Sequence, residues 1–180
     1  MAQIDLEEVV EGVISKFSRN RIGPKPRILA KIPPDLSPIF WQDDGLEKFV
    51  KQFLYHALLA NNPDVPVLVM MHERARLADL ESFVGVSPLC WIQLRIEGHG
   101  SGMIDSVVEE VFRDLGYHCE EWVGVEGSNT QLAIFSPREK EEPKMVLCFD
   151  IVKFMWKCDL LIPVADRLLL LSFSSPRKKY

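Results

Sequence analysis

The segment that most constrains the fold is a strand-like run, residues 91–97, which leads directly into glycines at every second position. Ile92, Leu94 and Ile96 alternate with polar residues, which is the period of a half-buried strand. A helical pattern follows the glycines. A strand, a glycine-rich turn and a helix start together form a geometry that binds phosphate groups in many proteins. The three glycines are Gly98, Gly100 and Gly102.

Two interpretations of this turn remain open on sequence grounds. The glycines either bind phosphate at the helix start, or they form a tight turn that requires positive φ angles. The turn contains no Arg or Lys, and the acidic Glu97 and Asp105 flank it. Because carboxylates repel phosphate, this charge pattern favours the tight turn.

Three amphipathic helices are predicted from apolar residues at three- and four-residue spacing. Gly116 is expected to cap the third of them, since glycine tolerates the left-handed conformation at a helix end. The predicted helices span residues 5–17, 45–60 and 105–115.

Seven strands are predicted from alternating or continuous apolar runs. Residues 35–42 are expected to form a loop or a short edge segment, and residues 152–166 a connection. The pattern favours an α+β fold, a two-layer sandwich with helices on one face of a mixed or antiparallel sheet. The predicted strands span residues 27–32, 65–71, 91–97, 118–125, 130–136, 145–151 and 167–173.

Charge and hydropathy exclude several classes of function. The net charge of −5 argues against non-specific nucleic-acid binding, which needs a basic surface. No apolar stretch approaches the roughly 18 residues of a membrane span, and the first residues lack the pattern of a signal peptide. We therefore expect neither a nucleic-acid nor a membrane partner.

The cysteine pattern predicts a reducing compartment. Cys90, Cys119, Cys148 and Cys158 form no C-x-x-C pair, and each lies in or beside an apolar run. We expect reduced core or near-core thiols in a cytoplasmic protein and no zinc site, which would need four well-spaced ligands.

Five short stretches between residue 5 and residue 137 form a pattern in a fixed order. They are 5–10 (DLEEVV), 41–46 (WQDDGL), 52–59 (QFLYHALL), 96–103 (IEGHGSGM) and 127–137 (GSNTQLAIFSP). Together they resemble the ATP-binding domain of sensor histidine kinases, a member of the GHKL, or Bergerat-fold, superfamily, which also includes DNA gyrase and MutL. In this resemblance the first stretch corresponds to the helix that enters the domain, and the second is similar to its D-x-x-x-L helix start. The third corresponds to the N-L-L-x-N-A-x-K box, the fourth to the V-x-D-x-G-x-G-I box, and the fifth to the closing G-T-x-F-x-I-x-L-P strand.

The departures from this resemblance fall on the residues that carry the family's chemistry. His56 stands where the family's Asn holds magnesium, and imidazole is a poor ligand for that hard ion. Leu59 replaces a phosphate-binding Lys, and Gly98 replaces the Asp that hydrogen-bonds the adenine amino group. Glu97 is one residue out of register, which in a strand directs it to the opposite face.

Compared with the family, the sequence also lacks the loop that covers the phosphates. It shows no two-helix phosphoacceptor hairpin before residue 5. We therefore predict a degenerate histidine-kinase-like ATPase domain over residues 1–137. A charged linker or turn, residues 138–144, would lead to a C-terminal β extension, residues 145–180. Its strands would extend the sheet, cover it, or form a homodimer through residues 145–173.

The expected function is non-catalytic: a protein-interaction or regulatory module, by analogy in bacterial two-component signalling, with an unknown protein partner. No catalytic residue, metal or cofactor is expected. One alternative is a lid-less ATP or nucleotide binder, with ATP and Mg²⁺ as ligands. Another is a phosphotransfer scaffold that docks a receiver domain. The vestigial nucleotide site would comprise His56, Glu97, Gly98, Gly100, Gly102 and Thr130.

Overall fold

A computed structural model gives the fold of the described part of the chain. That part comprises residues 2–19, 27–41, 45–74, 90–100, 105–114, 116–124, 126–127, 129–137, 145–152 and 154–164.

Three helices form where the apolar spacing predicts them: α1 (Leu6–Arg19), α2 (Gly45–Ala60) and α3 (Asp105–Asp114). Their apolar stripes are buried. The predicted cap of α3 is confirmed, because Gly116 has a φ of 85° and its N–H donates to the Arg113 carbonyl at 3.0 Å. No helix of the described residues has the length and apolarity to cross a membrane.

The strands of the described residues divide between a small sheet and a large one. Two short strands, which were not predicted as a pair, form an antiparallel two-stranded sheet. The other seven form one sheet. In chain order the strands are β1 (Ala2–Ile4), β2 (Ile28–Lys31), β3 (Ile39–Trp41), β4 (Val67–Arg74), β5 (Cys90–His99), β6 (Tyr117–Gly124), β7 (Thr130–Pro137), β8 (Met145–Val152) and β9 (Met155–Val164).

The large sheet has the order β2-β4-β5-β9-β8-β7-β6. Strands β2 and β4 are parallel, and every other neighbouring pair is antiparallel, so the sheet is mixed. The β8–β9 hairpin lies between β5 and β7. The last strands along the described chain are therefore central strands of the sheet.

The main core lies between one face of this sheet and the three helices. Alternate residues of the central strands, such as Leu94, Leu147 and Leu160, pack in one cluster with the buried stripes of the helices. Phe112 of α3 stacks on Phe135 of β7 with ring centroids 3.6 Å apart. The two-layer α+β sandwich with helices on one face of a mixed sheet is confirmed.

The opposite face of the sheet carries a smaller apolar cluster beside an ionic group. Arg95 contacts Asp159 through two hydrogen bonds, of 2.6 and 2.9 Å. This carboxylate raises the pKa of the Arg95 guanidinium, and Asp159 itself is buried. The apolar cluster comprises Trp91, Ile134, Val146 and Leu161.

Strand β9 corrects the prediction that residues 152–166 form a connection. Its even-numbered residues do alternate into the core, but Lys157, Asp159 and Pro163 interrupt the apolar pattern. Proline has no backbone N–H to donate to a neighbouring strand. It is tolerated at position 163 because the ladder with β8 ends at Leu161, so that Pro163 pairs with Trp91 of β5 alone. The predicted strand at residues 167–173 lies outside the described residues.

The predicted strands 118–125 and 130–136, with only a short turn between them, pair as the antiparallel hairpin β6–β7, with one change of register. A bulge falls between Cys119 and Glu121, and it places both Cys119 and Trp122 against the main core. Regular alternation along the predicted strand 118–125 would place these two side chains on opposite sides, and that prediction is wrong because the extra residue of the bulge reverses the alternation.

Candidate functional site

The glycine turn begins where the C-terminal ends of α2 and β5 meet, and Asn61 joins them. The backbone N–H of His99 donates to Asn61 Oδ1 at 2.7 Å. Asn61 Nδ2 donates to the carbonyls of Val65 at 2.6 Å and Asn62 at 2.9 Å. One side-chain amide therefore fixes both the end of the helix and the end of the strand.

Gly98 is glycine because two side chains fill the space beside its Cα. A Cβ built there would lie 2.5 Å from Asn61 Oδ1 and 2.7 Å from Trp156 Cε2, and Cζ2 of the same indole would be closer still. Trp156 faces Gly98 across the β5–β9 ladder and is only 1% exposed. The Trp156 indole and Asn61 thus occupy the space in which a side chain at position 98 would project.

Gly100 is glycine for a backbone reason. Its φ is 131°, and its N–H donates to the Phe154 carbonyl at 2.8 Å. A Cβ there would lie 2.5 Å from the carbonyl oxygen of Ala60. Both glycines are therefore required by the packing of the chain on itself. Gly102 lies outside the described residues.

The remaining predicted site residues do not converge on this turn. Glu97 lies on the sheet face away from the helices, with its carboxylate 3.7 Å from Arg95 Nη1. Thr130 pairs with Asp150, which pairs with Lys157, which pairs with Glu97. Three strand spacings separate Thr130 from Glu97, about 14 Å.

His56 is half-buried on α2, and its ring contacts that of Tyr55 at 5.5 Å between centroids. His99 lies between two glycines of the turn, a sequence position that predicts an exposed turn residue, but the structure places it as the last residue of β5, half-buried. Its Nδ1 is buried without a hydrogen-bond partner in the described part of the chain, as is Trp156 Nε1.

No protein-family model matches the chain, and a search of curated proteins finds no sequence match. Among solved structures, a mycobacterial sensor histidine kinase, MprB, is similar with a TM-score of 0.50 and 12% identity, over 91% of this chain and 97% of that one. The chain has a histidine-kinase-like fold. The cytoplasmic segment of histidine kinase QseC aligns with a TM-score of 0.45, at 10% identity, over 92% of this chain and 78% of that one. Acinetobacter baumannii histidine kinase AdeS aligns at 0.46, at 10% identity, over 92% and 68%.

With the histidine-kinase-like fold established, its resemblance implies ATP and Mg²⁺, and the residues present can be tested against them. An acidic side chain does not fit at position 98, because Trp156 and Asn61 occupy its space. The unpartnered Trp156 Nε1 is a donor, so it does not replace an acid that accepts from the adenine amino group. The described residues contain no group of three or more His, Cys, Asp or Glu side chains arranged to hold a metal. The residues present therefore do not fit adenine recognition as the family performs it.

Two residues that define this junction were not predicted as site residues. Asn61 directly follows the predicted helix 45–60, where the sequence indicates only the end of a helix, and Trp156 lies in the predicted connection 152–166. The alternation of Trp156 with Cys158 and Leu160 is the signal that indicates a strand there.

A second concave region lies at the edge of the sheet, between α3 and β6. It is an open cleft of about 390 Å³, and Trp122 Nε1 donates to Glu109 across it at 2.6 Å. On the strand side, Ser136 donates a short hydrogen bond to Glu120. The lining residues are Glu109, Arg113, Tyr117, His118, Cys119, Glu120 and Trp122.

The pKa is raised above the ordinary thiol value at Cys90, Cys148 and Cys158. Burial raises the pKa of Cys148 to about 12, with a smaller contribution from the charge of Asp159. Burial and the neighbouring Glu73 raise the pKa of Cys90 to about 11, and burial raises that of Cys158 well above its ordinary value. Since the thiolate is the nucleophile, these three cysteines have the character of structural thiols.

Proposed function

We propose that this chain is a non-catalytic module with a histidine-kinase-like fold, which acts by binding another protein in a cytoplasmic signalling pathway of the two-component kind. The fold supports a relationship to kinases. The glycine at position 98, where the family has its adenine-binding Asp, supports the loss of catalysis. The function would then lie in the surface that the fold presents.

The packing of Gly98 carries this proposal. The family's Asp accepts a hydrogen bond from adenine at this position. Here the position has no side chain, and the indole of Trp156, fixed in a central strand, fills the space. Restoring the acid would require the indole and Asn61 to move together, because a Cβ would overlap both. The packing of the core therefore prevents this contact from being restored by a single substitution.

Calorimetric titration with Mg-ATP and with ADP tests the proposal. We expect no saturable heat for either nucleotide. A parallel titration follows tryptophan fluorescence in the protein and in a Trp156→Phe variant, because a nucleotide bound at the turn would change the emission of the adjacent indole. Saturable binding with a micromolar Kd, with a signal lost in Trp156→Phe, would refute the proposal in favour of the lid-less nucleotide binder.

Pull-down with purified receiver domains tests the phosphotransfer-scaffold alternative. Light scattering over a concentration series tests the homodimer through residues 145–173. Strands β8 and β9 each have a partner strand on both sides, so that dimer would use a sheet face or residues outside the described part.

A further inference from the structure

One face of α2 carries a stripe of exposed side chains that contributes nothing to the main core. Lys48, Lys51, Tyr55 and Leu59 follow one another at spacings of three, four and four residues, so they share one side of the helix. Tyr55 is 51% exposed and Leu59 is 66% exposed. We call these four residues the α2 stripe.

The lysines of the stripe are exposed and add little to the stability of α2, because the charge of Lys51 is the smallest of the interactions that lower the pKa of Glu47. Lys48 is in the first turn of the helix, where the helix dipole disfavours cations. The nearby Glu47 forms an ion pair with Lys16 of α1, and that bond lowers the pKa of Glu47. Lys48 and Lys51 form no ion pair within the described residues, so the stripe presents positive charge at one end.

The apolar end of the stripe lies near a second exposed apolar pair. Phe154 is 80% exposed and Met155 is 55% exposed, and both are at the β8–β9 turn. This turn is held at the end of α2, because Gly100 bonds the Phe154 carbonyl and packs on the Ala60 carbonyl. Four of the five large exposed apolar side chains in the described residues thus belong to the stripe and this turn. Clustered exposed apolar surface marks interaction sites more often than scattered residues do.

We propose that the α2 stripe docks an acidic amphipathic helix of a partner protein. Carboxylates of the partner would pair with Lys48 and Lys51, and its apolar side chains would cover Tyr55 and Leu59. The chain as a whole is acidic, with a net charge of −5, so an acidic partner is attracted only where basic side chains are exposed, and at the stripe two of them lie beside exposed apolar side chains. The inference rests on the proposed function, because it names the chemistry of the bound protein.

The same observations favour a protein over the other occupants of such a face. An anionic membrane would also attract two lysines and two apolar side chains, but a membrane presents a broad negative surface, and the net negative charge of the chain opposes its approach. A second copy of the chain carries the same net negative charge, which disfavours self-association. Both occupants are outcomes of the test.

The probe is a displayed library of amphipathic helical peptides, selected against the intact chain. We expect selected peptides to be rich in Asp and Glu on one part of the helix and to carry an apolar pair four residues apart. Backbone amide shifts on titration with one synthesised peptide should then map to α2.

Two double variants test the two ends of the stripe: Lys48→Glu with Lys51→Glu, and Tyr55→Gln with Leu59→Gln. The matched control is Lys31→Glu with Leu29→Gln on edge strand β2, where Leu29 is 53% exposed. We expect each stripe variant to raise the peptide Kd about tenfold, as two surface contacts of roughly 0.7 kcal/mol each would give. The control should change the Kd less than twofold.

Thermal melting separates a loss of folding from a loss of binding. An acid at position 48 suits the helix start, and Gln is a good helix former. Glu at position 51 replaces the attraction of Lys51 for Glu47 by a weak repulsion between exposed carboxylates, so thermal melting of the variants should stay close to that of the parent chain.

The proposal is overturned if selection yields no peptides, if the peptides lack acids, or if the β2 control loses binding equally. Co-sedimentation with phosphatidylserine vesicles but not with peptide would assign the face to a membrane. A dimer that the stripe variants abolish would assign it to a second copy. Nucleotide binding by the same preparation would refute the proposed function and leave the docking result standing, whereas failure of docking leaves the nucleotide result standing.

Discussion

Replacing Gly98 by Ala tests the packing that fills the adenine position. The new methyl would overlap the Trp156 indole and Asn61 Oδ1, which lies 2.5 Å from the Cβ position. Overpacking of this kind costs about 1–3 kcal/mol. Displacing Asn61 weakens its bonds to His99 and Val65, at about 1 kcal/mol each. The smaller backbone entropy loss of Ala offsets about 0.5–1 kcal/mol. The expected net destabilisation is about 3 kcal/mol.

Urea unfolding followed by far-UV circular dichroism measures this cost. With a slope of about 2 kcal/mol per molar urea, the midpoint should fall by about 1.5 M. Gly12→Ala is the matched control, because Gly12 lies on the exposed side of α1 with no atom within 4 Å of a built Cβ. Its midpoint should rise, since Ala stabilises a helix interior by about 0.5–1 kcal/mol relative to Gly.

A double-mutant cycle with Trp156→Leu identifies the origin of the cost. If the indole causes most of it, Gly98→Ala should cost no more than about 1 kcal/mol in the Leu background, and the remainder reports on Asn61. A cost below about 0.5 kcal/mol in the parent chain, or an equal cost in both backgrounds, would refute the packing explanation.

Two further predictions concern the sheet face away from the helices. Asp159→Asn removes the bidentate partner of the Arg95 guanidinium and leaves only the more distant Glu97 carboxylate, at 3.7 Å. Because Arg95 is partly exposed, we expect a loss of about 2 kcal/mol, less than for a fully buried pair. Arg95→Met combined with Asp159→Leu should recover most of this loss, and an additive loss in the double variant would contradict this account. The pKa of Cys148 is raised to about 12, so the native state keeps a proton that the unfolded chain loses near the ordinary value of 9.0. Its contribution to stability is complete below pH 9 and declines by about 1.4 kcal/mol per pH unit between pH 9 and 12. Urea unfolding at pH 8.0, 9.5 and 10.5 should show the Cys148→Ala variant losing less stability with pH than the parent, and parallel profiles would contradict the prediction.

Sequence reasoning predicted the helices well because their signals are local. The apolar stripe of α2 and the glycine that follows α3 are both visible within a few residues. The predicted bounds of α2 match the observed ones, and those of α1 and α3 differ by one or two residues at their ends.

The order of the strands in the sheet could not be predicted from local sequence patterns. Arg95 and Asp159 pair across 64 residues of chain, and nothing near either residue specifies the other. The same limitation applies to the candidate site. The sequence shows that Gly98 is not an acid, but its crowding by Trp156 depends on where β9 inserts.

The central position of the β8–β9 hairpin has a consequence for synthesis on the ribosome. When residues up to Pro137 have emerged, β5 has β4 on one side and no neighbour on the other, and β7 has only β6. The sheet then exists as two separate pieces with open edges, which are sites where nascent chains aggregate. The contacts that close the gap are among the most distant in sequence, so closure should be the slow step of folding. Until the residues from 145 onward have left the ribosome, the emerged chain holds two half-sheets that only the last described strands can join.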